Sequence, residues 1–168
     1  MIRPAKERDI PQIAGIDQTA VSDEELVGYG PPSRKRVLAD TDRLRAAWVG
    51  GTVEGRQVYV FEDNGCILGF MLIGVAPDAI ELDDITVAPD HQRRRIGTSM
   101  VEFVENLAVD LGKQCVTLGT TRNTKTRVPW KSYDFWLKRG YTVENEIETE
   151  EGKEYGFTEI RFRKNVRG

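Results

Sequence analysis

Histidine and cysteine are scarce in this sequence: His91 stands alone, and Cys66 and Cys115 are the only thiols. No His, Cys and acid cluster shows metal-ligand spacing, so no metal is expected. Both cysteines lie in apolar, strand-like surroundings. They read as reduced core thiols, not as a disulfide or an acyl-carrying nucleophile. An excess of one charge is missing too, since 24 Lys+Arg face 27 Asp+Glu for a net charge of −3. An obligate nucleic-acid binder carries a basic surplus, so nucleic acid is not an expected partner. No apolar run approaches the roughly 18 residues of a membrane span. The opening Met1-Ile2-Arg3-Pro4 is no signal peptide, which makes a cytoplasmic protein the expectation. Repeats and low-complexity stretches are absent. The 168 residues are therefore taken as a single domain, 1–168, with a real core.

What is present is a succession of short periodic segments. Residues 2–5 predict a strand, and Asp9 with Pro11 predicts a capped helix bearing Ile10, Ile13, Ala14 and Asp17 on one partly apolar face. Ser22 to Glu25 is acidic, and Gly28 to Pro32 breaks the chain. A second helix is expected from a Ser33 cap through Val37, Leu44 and Trp48, stopped by Gly50-Gly51. Three strands follow: 57–62, 66–75 and 79–87. The first two join at Asn64-Gly65, a pair suited to the primed hairpin turns. A helix from Gly97 carries Met100, Val104, Leu107, Ala108 and Leu111 on one stripe. Then come a strand over 114–118, a loop over 119–129, a short helix over 130–139, and two final strands around a turn at Glu151-Gly152. The order implies a mixed α/β (α+β) domain with a largely antiparallel sheet of about seven strands and about four helices.

The most informative run is Ile85-Thr86-Val87, the turn Ala88-Pro89-Asp90, and the basic loop His91 to Ile96, opening a helix at Gly97. Amides of a loop aimed at one spot, followed by a helix N-terminus, make an anion site. Arg93, Arg94 and Arg95 add fixed positive charge. This run resembles motif A of the GNAT superfamily of acetyl-CoA-dependent N-acyltransferases. Ile85-Thr86-Val87 matches its strand end, Gln92 its first polar position and Gly97 its last glycine. Arg95 stands where the family usually has its first glycine, and is expected to keep ordinary backbone angles with its side chain swung clear. The element order and the opening Ile2-Arg3-Pro4-Ala5 also look like that family, so the resemblance covers nearly the whole chain and implies the GNAT fold.

The resemblance further implies where acetyl-CoA would bind. Main-chain amides at Ile85 and Val87, with Thr86 between them, would hold the thioester and pantetheine arm. The pyrophosphate would sit on Gln92, Arg93, Arg94, Arg95, Ile96, Gly97 and Thr98. Asn123 is the counterpart of a family asparagine. For the base, the resemblance ranks Glu81 first and Asp83 second; a two-residue period puts them on one face with Asp84 opposite, and a bulge would shift that parity. Trp136 occupies the place of the family's tyrosine acid, leaving Tyr133, one turn earlier, as its substitute. The leading expectation is an N-acetyltransferase for a primary amine on a small molecule, peptide or protein, with a homodimer possible. A GNAT-like module that binds acyl-CoA with little turnover is the alternative. A nucleotide or nucleic-acid binder comes third, for want of aromatic interleaving.

Overall fold

The computed structural model describes residues 1–92 and 95–167. The chain builds β1 (Ile2–Pro4), α1 (Ile10–Ala20), α2 (Asp23–Leu26), α3 (Thr41–Ala47), β2 (Trp48–Val49), β3 (Thr52–Val53), β4 (Arg56–Asp63), β5 (Cys66–Val75) and β6 (Ala79–Val87). It continues with α4 (Ile96–Asp110), β7 (Cys115–Asn123), α5 (Tyr133–Lys138), β8 (Thr142–Ile147), α6 (Glu150–Tyr155) and β9 (Phe157–Asn165). The strands form one 9-stranded sheet in the order β2-β3-β4-β5-β6-β7-β9-β8, with β1 beside β4. Among the described residues, only β6 and β7 run parallel.

Two apolar layers sandwich the middle of this sheet. Ile10, Ile13, Ala14 and Ile16 of α1, with Leu44 of α3, pack on Val58, Val60, Phe70 and Leu72. On the opposite face, Ile96, Met100, Val101, Val104 and Ala108 of α4 pack on Met71, Ile73, Ile80, Leu82, Val116 and Leu118, joined by Trp136, Tyr141 and Phe162. Burying one such aliphatic side chain stabilises the fold by about 1.5–3 kcal/mol. Strand β5 is covered on both faces, so Ile67 to Gly74 are buried without alternation.

Several expectations change on contact with the fold. The second helix starts at an Asp40 cap, whose carboxylate accepts from the Arg43 amide at 2.9 Å, not at Ser33. Trp48 already lies in β2, so Gly50-Gly51 turns a hairpin between Val49 and Thr52. Asn64 and Gly65, at φ 51° and 80°, make the primed turn foreseen there. Cys66 follows that turn at the end of the sheet and is exposed, whereas Cys115 is buried; both are free thiols. Strand β7 runs on to Asn123, held along its length by β9. The turn foreseen at Glu151-Gly152 is α6, capped by Thr149 Oγ1, which accepts from the Gly152 amide at 2.9 Å. These additions raise the strand count from about seven to 9.

Candidate active site

The parallel pairing of β6 with β7 stops early. Ala79 to Leu82 pair with Cys115 to Leu118, and beyond them the two strands part. The freed edge of β7 is taken by the chain returning from its own loop. Trp130 donates its amide to the Thr121 carbonyl at 2.8 Å, and Arg122 bridges Pro129. Nothing comparable covers β6 from Asp83 to Val87 among the described residues.

Which β6 amides turn into this opening follows from two hydrogen bonds. Ala88 donates to Leu68 of β5 at 2.8 Å, so its N–H faces β5. The Val87 carbonyl instead accepts from Gln92 Nε2 at 3.3 Å, on the other side. Successive strand residues alternate, so the N–H groups of Ile85 and Val87 turn away from β5 and that of Thr86 turns toward it.

A bulge decides which side chains enter. Against β5, Leu82 is opposite Ile73 and Asp84 is opposite Leu72, leaving Asp83 without a partner. The extra residue flips the parity of the strand. Before it, Ile80 and Leu82 point into the α4 layer; after it, Ile85 and Val87 do. Glu81 and Asp83, first and second in rank as base from the sequence, both pair with Arg56; its Nη2 meets Glu81 at 3.4 Å. Neither lines the opening. Asp84 does, with Ile85, Thr86, Val87 and Gln92, in a cavity of about 360 Å³.

That cavity is roofed by Asp17 and Ala20 of α1 and Val21 just after it, by Leu26 and Tyr29, and by Arg36, Trp130 and Lys131. Tyr29 and Trp130 meet with ring centroids 5.2 Å apart. Lys131 crosses to Glu25 at 3.1 Å, which holds that carboxyl below its ordinary range. Asp84 accepts from Thr86 Oγ1 at 2.9 Å. Burial pushes the Asp84 carboxyl up to about 7, with the nearby Asp17 charge adding to the effect; the Thr86 hydrogen bond and Arg36 oppose it. Asp17 is raised as well, by burial against the pull of Arg36.

The helix mouth lies next to Gln92. Arg95 has φ 61° and ψ 17°, a left-handed conformation, and not the ordinary angles expected of an arginine here. The loop thus keeps a glycine-like backbone at this position, at a cost of roughly 1–2 kcal/mol. The first intrahelical bond of α4 runs from the Ser99 amide to the Arg95 carbonyl at 3.0 Å. The amides of Ile96, Gly97 and Thr98 therefore precede the helical ladder and point out of its N-terminus. Among the described residues, a Cβ on Gly97 would meet only Val87 Cγ2, at 3.8 Å, so their packing does not demand glycine there. Ile96 is a buried anchor of α4. Arg93 and Arg94 lie outside the described residues.

The remaining sequence candidates sit elsewhere. Tyr133 opens α5 with its ring 5.5 Å from Phe162 and the Arg122 guanidinium 5.8 Å above it, away from the cavity lining. Trp136 is buried edge-on between Phe135 and Tyr141. Asn123 folds its own loop: its Oδ1 accepts from the Lys125 and Thr126 amides at 2.8 and 3.1 Å. Asp84, expected from the two-residue period to face away, lines the cavity instead; Arg36, Tyr29 and Trp130 carry no such pattern signal. Asp17 carried a signal, being an acid on the apolar stripe of α1.

Comparisons with known proteins bear on the fold and the family. A coenzyme A complex of an aminoglycoside 6'-N-acetyltransferase superposes with a TM-score of 0.72 at 13% identity, over 100% of this chain and 98% of that one. An N-acetyltransferase from Staphylococcus aureus Mu50 gives 0.67 at 20% identity, over 99% and 98%. The ribosomal-protein-S18-alanine N-acetyltransferase from Escherichia coli gives 0.64 at 14% identity, over 100% and 94%. At such identities the likeness is one of fold. No protein of curated function matches the chain in sequence. The family model for acetyltransferases of the GNAT family matches residues 29–141, which is most of the chain and includes the parted strands and the α4 mouth. This protein belongs to the acetyltransferase (GNAT) family.

Proposed function

We propose that the chain is one N-acetyltransferase domain over residues 1–168 that moves the acetyl group of acetyl-CoA to a primary amine by direct attack in a ternary complex. The observation that carries this reading is Asp84 lining the same opening into which the Ile85 and Val87 amides turn. The residues fit acetyl-CoA. Gly97 leaves the helix mouth open, the amides of Ile96, Gly97 and Thr98 suit a pyrophosphate, and Gln92 and Arg95 flank it. Bound there, acetyl-CoA supplies the activated acyl group. The Ile85 and Val87 amides orient the carbonyl and stabilise the negative charge that develops on its oxygen.

The acceptor arrives protonated, since a lysine-like amine has a pKa of about 10.4. Asp84, with its carboxyl lifted to about 7, takes that proton and leaves the nitrogen lone pair free to attack. A thiolate is a weak enough base to leave without a dedicated acid; it takes up the second proton shed by the acylated nitrogen, directly or through water, so Tyr133 serves packing here. The acceptor lies under Leu26, Tyr29 and Trp130. Amine-bearing small molecules and peptides both suit this wall; neighbours of the same fold act on an aminoglycoside and on a ribosomal-protein alanine. A second copy of the chain would add at β8, the end strand of the sheet, whose residues are all exposed.

The test is incubation with acetyl-CoA and a panel of amines and N-terminal peptides, following free thiol. Thiol release with at least one acceptor is expected. A rise in melting temperature without thiol release on any acceptor would make the protein an acyl-CoA-binding module. No rise at millimolar acetyl-CoA would remove both readings.

A further inference from the structure

Asp17 is unexplained by packing. It continues the stripe Ile10, Ile13, Ala14 along the core-facing side of α1, where an apolar residue would stabilise the fold more. It is only 8% exposed. Its partner Arg36 holds it with one arm: Nε reaches Asp17 Oδ2 at 3.1 Å, while Nη2 goes to the Asp17 carbonyl at 3.2 Å and Nη1 to the Pro31 carbonyl at 3.1 Å. A pair serving stability alone would favour the two-armed fork. Asp17 also lines the cavity of Asp84.

Building on the acetyl-transfer reading, we propose that Asp17 and Asp84 work as one carboxyl pair, in which Asp17, clamped by Arg36, is the positioning member that keeps Asp84 basic. The groups facing Asp84 bear this out element by element. From its own strand comes the Thr86 hydroxyl, and Asp83 is adjacent in the chain. The α1 helix presents Asp17, and the segment after it presents Arg36 and Tyr29. Strand β7 contributes the uncharged Thr120 and Thr121, the turn after β6 contributes Gln92, and Lys131 lies at the rim, tied to Glu25. Among the described residues, Asp17 is thus the other carboxylate lining the cavity of Asp84. Two carboxylates in a shared cleft resist full ionisation, so the second proton is held more tightly than the first. With both ionised, the group of Asp17, Asp84 and Arg36 carries one net negative charge. That matches a single ammonium, which Asp84 deprotonates.

The experiment is a carbon-13 NMR titration of the aspartate side-chain carboxyls in the whole protein, with the Asp84 signal assigned by its loss in Asp84→Asn. In Asp17→Asn the Asp84 midpoint should fall by about one pH unit or more. The acidic limb of kcat/KM should move with it, with little change in the acceptor KM. Asp17→Glu, which restores the charge, should return the midpoint to its original place. In the unsubstituted protein the Asp84 signal should show two inflections, the lower one coinciding with Asp17. This native titration stands even if Asp17→Asn does not fold. An Asp84 midpoint unmoved in folded Asp17→Asn, or a single inflection in the native protein, would overturn the pairing and leave Asp17 structural. The titration needs no turnover, so a protein silent toward every amine would sink the acetyl-transfer reading while the coupling was still measured.

Discussion

At the scale of single residues, Asp84 joins function and stability with opposite signs. Its carboxyl is raised to about 7 in the folded protein. The folded state therefore binds more protons than the unfolded chain between the ordinary aspartate range and about 7. Its contribution is most favourable below that range and is lost as pH rises through it to about 7. Asp84→Asn cannot ionise and escapes this loss. The variant should melt higher than the parent above pH 7, and the gap should close toward pH 4. Its kcat should drop by about 10²–10⁴-fold, the usual weight of a general base. Melting curves across pH, beside thiol-release rates, check both halves. A variant equally active but less stable would contradict both. Gly97 offers a second pair of opposed signs. Alanine there meets no obstacle among the described residues and improves helix propensity by about 0.5–1 kcal/mol. The same methyl enters the helix mouth. Gly97→Ala should raise the melting temperature of the free protein and weaken acetyl-CoA binding by tenfold or more, read by calorimetry.

At the scale of elements, α6 shows what local pattern conceals. Glu150-Glu151-Gly152-Lys153 reads as a turn, because glycine in a short acidic run rarely signals a helix. Its reason lies in β9. A Cβ on Gly152 would stand 2.2 Å from the Phe157 carbonyl oxygen, so only glycine lets α6 settle on that strand. Backbone cannot swing aside as a side chain can. Gly152→Ala should therefore destabilise the protein by about 1–3 kcal/mol despite alanine's better helix propensity, measured by denaturant unfolding. The contrast with α4 explains how legible the sequence was. The α4 stripe and the Asn64-Gly65 turn are local signals, and each reads correctly as an element. The bulge at Asp83 exists only in the register of β6 against β5. Without that register, Glu81 and Asp83 looked like the inward pair and Asp84 looked turned away. Parting of β6 from β7 is likewise a property of two strands far apart in the chain. The roof over the cavity depends on Lys131 reaching Glu25 across most of the sequence. The phosphate side of the proposed site is thus written in one continuous stretch, while its proposed acid–base side is assembled by topology.

At the scale of the whole molecule, the opening sits at the junction of two separately packed layers. The α1 and α3 layer supplies Asp17 to the roof, and the α4 layer carries Ile85, Val87 and the helix mouth. A ligand reaching from the mouth to Asp84 would touch both layers and bind only when both are folded. Its binding free energy therefore adds directly to folding stability. At a hundredfold excess over its Kd, acetyl-CoA should stabilise by about 2.7 kcal/mol. For a chain of this size that corresponds to a rise in Tm of roughly 5–10 °C. Amide hydrogen exchange tells where the stabilisation arises. Exchange at Ile85 and Val87, whose N–H groups face the opening, should slow more than global stability explains. Exchange at Thr86, already turned to β5, should follow the global change alone. Equal slowing at all three would mean that the ligand stabilises the fold from another place, and the opening between β6 and β7 would lose its role as the acyl site.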